Sequence, residues 1–173
     1  REPVVVYKQQ SALHVEFPRD RDQKILSLER EIRRRRPRTF VDACSGAGTL
    51  GLAAARAGVP RVICNDAWYA AAYWTACNLQ VNREFLDIGE VTMHRSYDDL
   101  RRREVARDPL PVATAAGAQE IEVYQGDLRL LPAVLPPEVD LAALDLFEKA
   151  DAGKVSQLTR AWQTRVGGAL FIP

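Results

Sequence analysis

Five short apolar runs alternate with segments of helical periodicity, and no other feature restricts the fold of this chain as strongly. The runs are Thr39–Cys44, Arg61–Asp66, Glu120–Gln125, Val139–Phe147 and Gly168–Ile172. Val139–Phe147 is apolar almost throughout, as a strand buried on both faces requires. Leu50–Ala57, Trp68–Asn82, Leu128–Leu135 and Asp151–Arg165 read as helices between them. A further helix, Asp22–Arg36, precedes the first strand; Ile25, Leu28 and Ile32 recur on one face, Asp20 or Asp22 suits its start, and Pro37 ends it. Strands that alternate with helices demand βαβ crossovers. The expected architecture is therefore α/β: a three-layer sandwich, with a mostly parallel, twisted sheet and helices on both faces. Ligands of such sheets bind at the carboxyl ends of the strands, where the strand order reverses.

The chain has 173 residues, one domain's worth, so residues 1–173 are expected to form a single domain. Residues 1–38 would be an N-terminal arm and helix. Residues 84–119 break the alternation and read as an irregular insertion or lid, with one helix over Asp98–Arg107. The sheet is expected to end at the fifth strand, beside Pro173. An edge left uncovered there invites pairing, so a homodimer is expected.

Composition removes several classes of function. With 47% hydrophobic and 27% charged residues, the chain has too much apolar surface to stay disordered. A net charge of +1 produces no overall field toward nucleic acid or membrane. No apolar window is long enough for a membrane span. Cys44, Cys64 and Cys77 are odd in number and lack metal spacing, and His14 and His94 stand alone. That argues against a disulfide scaffold or a metal site and fits a reducing compartment, the cytoplasm.

The chemistry gathers after the strands. Gly46-Ala47-Gly48-Thr49-Leu50-Gly51 follows the first strand and opens a helix, literally G-x-G-x-x-G. Glycines there let the backbone turn tightly and a ligand approach closely. The second strand ends in Asn65-Asp66, where a carboxylate can accept both hydroxyls of a ribose. Nicotinamide dinucleotides and S-adenosylmethionine both use such an arrangement. Asp42, four residues before Gly46, separates them: it would repel a pyrophosphate but attract the ammonium of a methionine moiety. Read without a ligand, Asp42 and Asp66 would be strand-terminal caps and the glycines plain turn residues.

At this point the chain resembles a family. Val41-Asp42-Ala43-Cys44-Ser45-Gly46-Ala47-Gly48-Thr49-Leu50 looks like the first motif of the class I S-adenosylmethionine-dependent methyltransferases, over about Thr39–Pro173 without the irregular stretch. The resemblance implies a Rossmann-like, seven-stranded fold and S-adenosyl-L-methionine as cofactor. It implies that Ser45, Gly46 and Gly48 flank the methionine part beside Asp42, and that Asp66, with Asn65, holds the ribose. Asp127 would read the adenine amino group, Leu128 would supply an amide or a packing face, and Trp68 would cover the ring. Asp127 equally suits a helix N-cap. Asp145, Phe147 and Glu148, in Asp145-Leu146-Phe147-Glu148, fall where the family places the acceptor. Amino-methylating members often carry Asp/Asn-Pro-Pro-aromatic there; this chain keeps the Asp and the aromatic but has no proline.

The implied reaction is methyl transfer to a nitrogen or oxygen. The acceptor is expected on RNA, with tRNA the first choice, or on a small molecule or protein amine. Asn78 and Asn82, one turn apart, resemble a helix of the family's RNA and protein-lysine enzymes, and the clusters Arg33–Arg38 and Arg101–Arg107 offer phosphate contacts. No cysteine follows Cys77, which argues against C5-methylation of pyrimidines. Other readings are a lyase or aminocarboxypropyl transferase on the same cofactor, an NAD-dependent oxidoreductase, and a non-catalytic cofactor-binding subunit.

Overall fold

The computed structural model describes residues 6–8, 14–16, 23–105, 108–146, 152–166 and 169–172. β1 (Val6–Lys8) and β2 (His14–Glu16) pair antiparallel as a separate ribbon. α1 (Gln23–Arg35), β3 (Thr39–Asp42), α2 (Thr49–Arg56), β4 (Arg61–Asp66) and α3 (Tyr69–Val81) follow. Next come α4 (Arg83–Leu86), β5 (Val91–Met93), α5 (Tyr97–Arg101), β6 (Leu110–Ala115) and β7 (Glu120–Gln125). β8 (Leu141–Ala143), α6 (Ala152–Arg165) and β9 (Ala169–Phe171) complete the order.

The main sheet has seven strands in the order β5-β6-β7-β4-β3-β8-β9. The five from β7 to β9 are parallel, and β6 runs against both its neighbours. From β3 the chain moves outward to β4 and β7, then returns past β3 to β8 and β9. The direction of travel reverses between β3 and β8, which opens a crevice at their carboxyl ends.

Alternate residues of each strand feed two cores. Phe40, Val62 and Cys64 point to the face covered by α1, α2 and α3. Val41, Ile63 and Ala142 point to the other, against Trp162 of α6 and Val166 just after it. Ile25, Leu28 and Ile32 are the buried face of α1, at the spacing read from the sequence. Each such side chain contributes about 1.5–3 kcal/mol of burial. On α3 the buried face is small, with Ala72 and Ala76 among its members, so the helix lies close to the sheet.

The five expected strands all form, as β3, β4, β7, β8 and β9, yet the sheet does not consist of them alone. Residues 84–119, expected to be irregular, supply β5 and β6. The sequence concealed β6 behind Pro111, which has no amide to donate. The strand accommodates it at a register shift between Pro111 and Ala113. The helix expected over Asp98–Arg107 shortens to α5, opened by a reciprocal Ser96–Asp99 capping box. The helix expected over Leu128–Leu135 is only a 3-10 turn, Leu131–Ala133, with Pro132 inside it. Val139–Phe147 narrows to the three residues of β8.

Candidate functional site

The glycine loop is built from its neighbours' backbone. Ser45 N donates to Asn65 O at 2.8 Å, and Gly48 N to Ser45 O at 2.7 Å. Gly46 has φ +56°, and a Cβ added to it would meet open space. Gly48 has φ +92°, and its Cβ would stand 3.1 Å from Thr75 Cγ2. Only glycine takes both conformations without strain. The first glycine thus leaves room for a ligand, while the second is pressed against α3.

That helix holds the loop through side chains. Thr75 Oγ1 donates to Gly46 O at 3.0 Å, and Asn78 Nδ2 to Ala47 O at 2.7 Å. Ser45 Oγ lies 3.0 Å from Thr75 Oγ1. Thr75 has one hydroxyl proton and spends it on Gly46, so Ser45 is the donor. Thr75, Asn78 and Asn82 are all fully buried. Asn82 Nδ2 donates to Asn78 O at 2.7 Å. The pair Asn78 and Asn82, read in the sequence as a pointer to RNA, is therefore loop scaffolding. Sequence reasoning misses Thr75, whose one signal is its spacing to Asn78, that of a single helix face.

Asn65 also works from beneath. Its Nδ2 donates to Ala43 O at 3.1 Å and Gly126 O at 3.0 Å, tying the ends of β3 and β7 to β4. It is fully buried, so it positions the site instead of facing it.

Four carboxylates stand at the carboxyl ends of the adjacent strands β7, β4, β3 and β8. Asp42 is buried; its Oδ2 accepts from Gly51 N at 3.2 Å, while Oδ1 has no hydrogen bond among the described residues. Burial, then the charge of Asp66, push its carboxyl up to about 7, against the pull of the Gly51 amide. Asp66 Oδ2 accepts from Gly46 N at 2.8 Å and Oδ1 from Trp68 N at 2.9 Å. Its carboxyl is also raised, chiefly by burial. Asp127 is bound by its own neighbour: Arg129 Nε donates to both its oxygens, at 2.9 and 3.0 Å, and the guanidinium holds the carboxyl below its usual range. Its carbonyl accepts the Leu130 and Leu131 amides and its Oδ1 the Arg129 amide at 2.9 Å, a turn that leads into the 3-10 helix, whose N-cap is Leu130 and not Asp127. Asp145, after β8, receives Lys24 Nζ. The Cys44 thiol lies within reach of all four charges; burial, then Asp42, Asp66, Asp145 and Asp127, push it up to about 12. A thiol kept protonated in this way is a poor nucleophile.

Leu128 packs, partly buried, against the second core. Trp68 is 47% exposed at the start of α3, edge-on to Tyr69 with ring centroids 6.4 Å apart. Phe147 and Glu148 lie outside the described residues.

The arginine clusters separate. Arg33–Arg35 end α1 just before β3 begins, so they sit at the amino ends of the strands, away from the glycine loop. Arg34 and Arg35 share Glu31. The cluster at α5 is on the site's side, yet Arg103 belongs to the fold: it donates to Gln125 O at 2.6 Å and to Asp108 O. Arg101 and Arg102 are exposed. Among the described residues no three His, Cys, Asp or Glu side chains come together to hold a metal ion, and no helix is long and apolar enough to cross a membrane.

No family model matches the chain, and no curated protein matches its sequence. Its backbone is similar to a solved structure, Trm1 from Pyrococcus horikoshii in complex with S-adenosyl-L-methionine. What the two share is the fold. The TM-score is 0.53 and the identity 21%, over 73% of this chain and 29% of that protein. The chain thus spans less than a third of that protein's length.

Proposed function

We propose that this chain binds S-adenosyl-L-methionine and transfers its methyl group to a nitrogen or oxygen acceptor. One observation carries the reading: Asp42 is buried at the glycine loop with its carboxyl raised, and Asp66, Asp127 and Asp145 stand at the same carboxyl ends of the neighbouring strands. A crevice of carboxylates suits a ligand with an ammonium and a sulfonium, and it repels the pyrophosphate of a dinucleotide. Trm1, which shares the fold, was solved with S-adenosyl-L-methionine.

The residues present fit that cofactor. Asp42 would attract its ammonium, and the backbone of Ser45, Gly46 and Gly48 would border the methionine part. Asp66 would exchange the Gly46 and Trp68 amides for ribose hydroxyls. Asp127 and Leu128 would meet the adenine, with Arg129 displaced from Asp127 or shared, and Trp68 would cover the ring. When bound, the cofactor supplies an electrophilic methyl carbon on sulfur. The chain then has to align an acceptor lone pair with it, which is where most of the rate comes from. Asp145 would orient that acceptor; Phe147 and Glu148, outside the described residues, stay with it in the proposal on the sequence motif alone.

An RNA acceptor has its own support on the site's side of the molecule. Arg101 lies close enough to Tyr69 for its charge to act on the phenol, and Trp68 is exposed one residue away. Cationic and stacking groups side by side suit a single-stranded base. Arg33–Arg38, at the far end of the sheet, lend that reading nothing.

Calorimetric titration with S-adenosylmethionine, S-adenosylhomocysteine and NAD tests the proposal. The adenosyl ligands are expected to bind and NAD to give no heat; binding of NAD alone overturns it. Asp145→Ala is expected to spare cofactor binding and lower turnover.

A further inference from the structure

Lys24 reaches the crevice from the other end of the sequence. Its Nζ donates to Asp145 Oδ2 at 2.8 Å and Oδ1 at 3.1 Å, across 121 residues of chain. The neighbouring Ile25 and Leu28 are buried in the core, so the backbone that carries Lys24 is fixed. β8 pairs with β3 in a register that sets Ala143 beside Asp42. Asp145 therefore follows at the level of Cys44, where the glycine loop begins, and its charge acts on both Asp42 and Cys44.

The ion pair has little to do with stability. The two side chains are 53% and 30% exposed, and an ion pair so open to water is screened and contributes little. What it accomplishes is placement: a primary amine, held by both oxygens of one carboxylate, at the position the proposed function assigns to the methyl acceptor.

We propose that Lys24 is a methylation site of this protein, modified at the chain's own cofactor site. The inference rests on the proposed S-adenosylmethionine chemistry. Lys24 must first release one proton from its ammonium to solvent. Its nitrogen lone pair then forms a bond to the methyl carbon as the carbon–sulfur bond breaks, and that electron pair leaves on sulfur as S-adenosylhomocysteine. Asp145 holds the amine by accepting its remaining N–H groups. Because nucleophile and site belong to one chain, the reaction is intramolecular and benefits from fixed proximity. Each methyl added removes a donor, so a trimethylated Lys24 can no longer hydrogen-bond Asp145.

The test is to incubate the purified chain with S-adenosylmethionine and map methyl groups by peptide mass spectrometry, with calorimetry of cofactor binding in parallel. The chain has four lysines, Lys8, Lys24, Lys149 and Lys154, and the methyl is expected on Lys24 alone. The rate should not change on about tenfold dilution of the protein, as befits a reaction within one chain. Asp145→Asn should keep cofactor affinity and slow Lys24 methylation by about tenfold or more; it should also raise the reactivity of Lys24 toward an amine-labelling reagent without any cofactor. Lys24→Arg should abolish the modification and still bind cofactor. Cofactor binding without methylated Lys24, or methyl groups spread over all four lysines, overturns this inference and leaves the proposed function standing. Absence of cofactor binding removes both.

Discussion

At the amino ends of the strands, charge is neutralised locally: Arg34 and Arg35 share Glu31, and Asp140 accepts the amides of Arg38 and Thr39 at 2.8 and 3.0 Å. At the carboxyl ends, Asp42, Asp66, Asp127 and Asp145 face one crevice, and Asp42 keeps one oxygen buried without a partner. The first arrangement is what a solvated surface produces. In the second, Asp127 and Asp145 are also paired, with Arg129 and Lys24, and the cost in folding free energy falls on Asp42 and Asp66, whose hydrogen-bond partners among the described residues are backbone amides. Perturbed carboxyls in a cleft are a mark of binding sites, and this difference between the two ends is why the proposed function is assigned to the carboxyl ends.

The sharpest way to break this comparison is at the loop itself. Asp66→Ala removes the acceptor for the Gly46 and Trp68 amides along with the ribose contact. Cofactor affinity is expected to fall by about a hundredfold, the effect of losing two hydrogen bonds to a charged group. Gly46→Val forces a β-branched residue to φ +56° and fills the open space, and is expected to do at least as much. Calorimetry checks both, and unchanged affinity would remove the pocket from this end of the sheet.

Asp42 makes the comparison depend on pH. Its folded carboxyl titrates at about 7, above its ordinary 3.8. Between those values the folded chain keeps a proton that the unfolded chain has lost, so stability is expected to fall as pH rises through that window. Only ionised Asp42 attracts a cationic cofactor, so affinity should drop by up to about tenfold per pH unit below 7 and level off above it. Titrations on both sides of pH 7 test this. Asp42→Asn should flatten both profiles; if both keep their slope, another group is responsible.

Smaller effects separate scaffold from surface. Asn78→Ala leaves the part-buried Ala47 carbonyl without its donor and should cost about 1–2 kcal/mol in urea unfolding. Arg34→Ala, at the amino ends, should leave the unfolding midpoint where it is. Equal losses from the two variants would mean that charge at the amino ends matters as much as the loop.

Much of this site is legible in the order of residues. The glycine loop and the carboxylates after Val41, Asn65, Gly126 and Leu144 follow from local motif and strand pattern, and the buried face of α1 follows from a period of 3.6 residues. The rest depends on partners distant in sequence. Pro111 hides β6 because a proline is admitted to a strand only where a bulge spares its missing amide, and nothing local announces the bulge. Asn78 reads, with Asn82, as a likeness to a helix of RNA and protein-lysine enzymes, since a polar side chain on a helix does not declare whether it faces a loop or water.

The sequence by itself determined the alternation of strands and helices, and hence that the glycine loop and the four carboxylates lie at one end of the sheet, because periodicity and turn residues act within a few positions. Only the tertiary structure decided which polar groups are satisfied there. Asp127 meets Arg129 two residues away, whereas Asp145 meets Lys24 at the far end of the chain, and Asp42 keeps one oxygen unbonded. Hydrogen bonding and burial are properties of neighbours in space, and residues more than a hundred positions apart become neighbours only when the sheet has assembled.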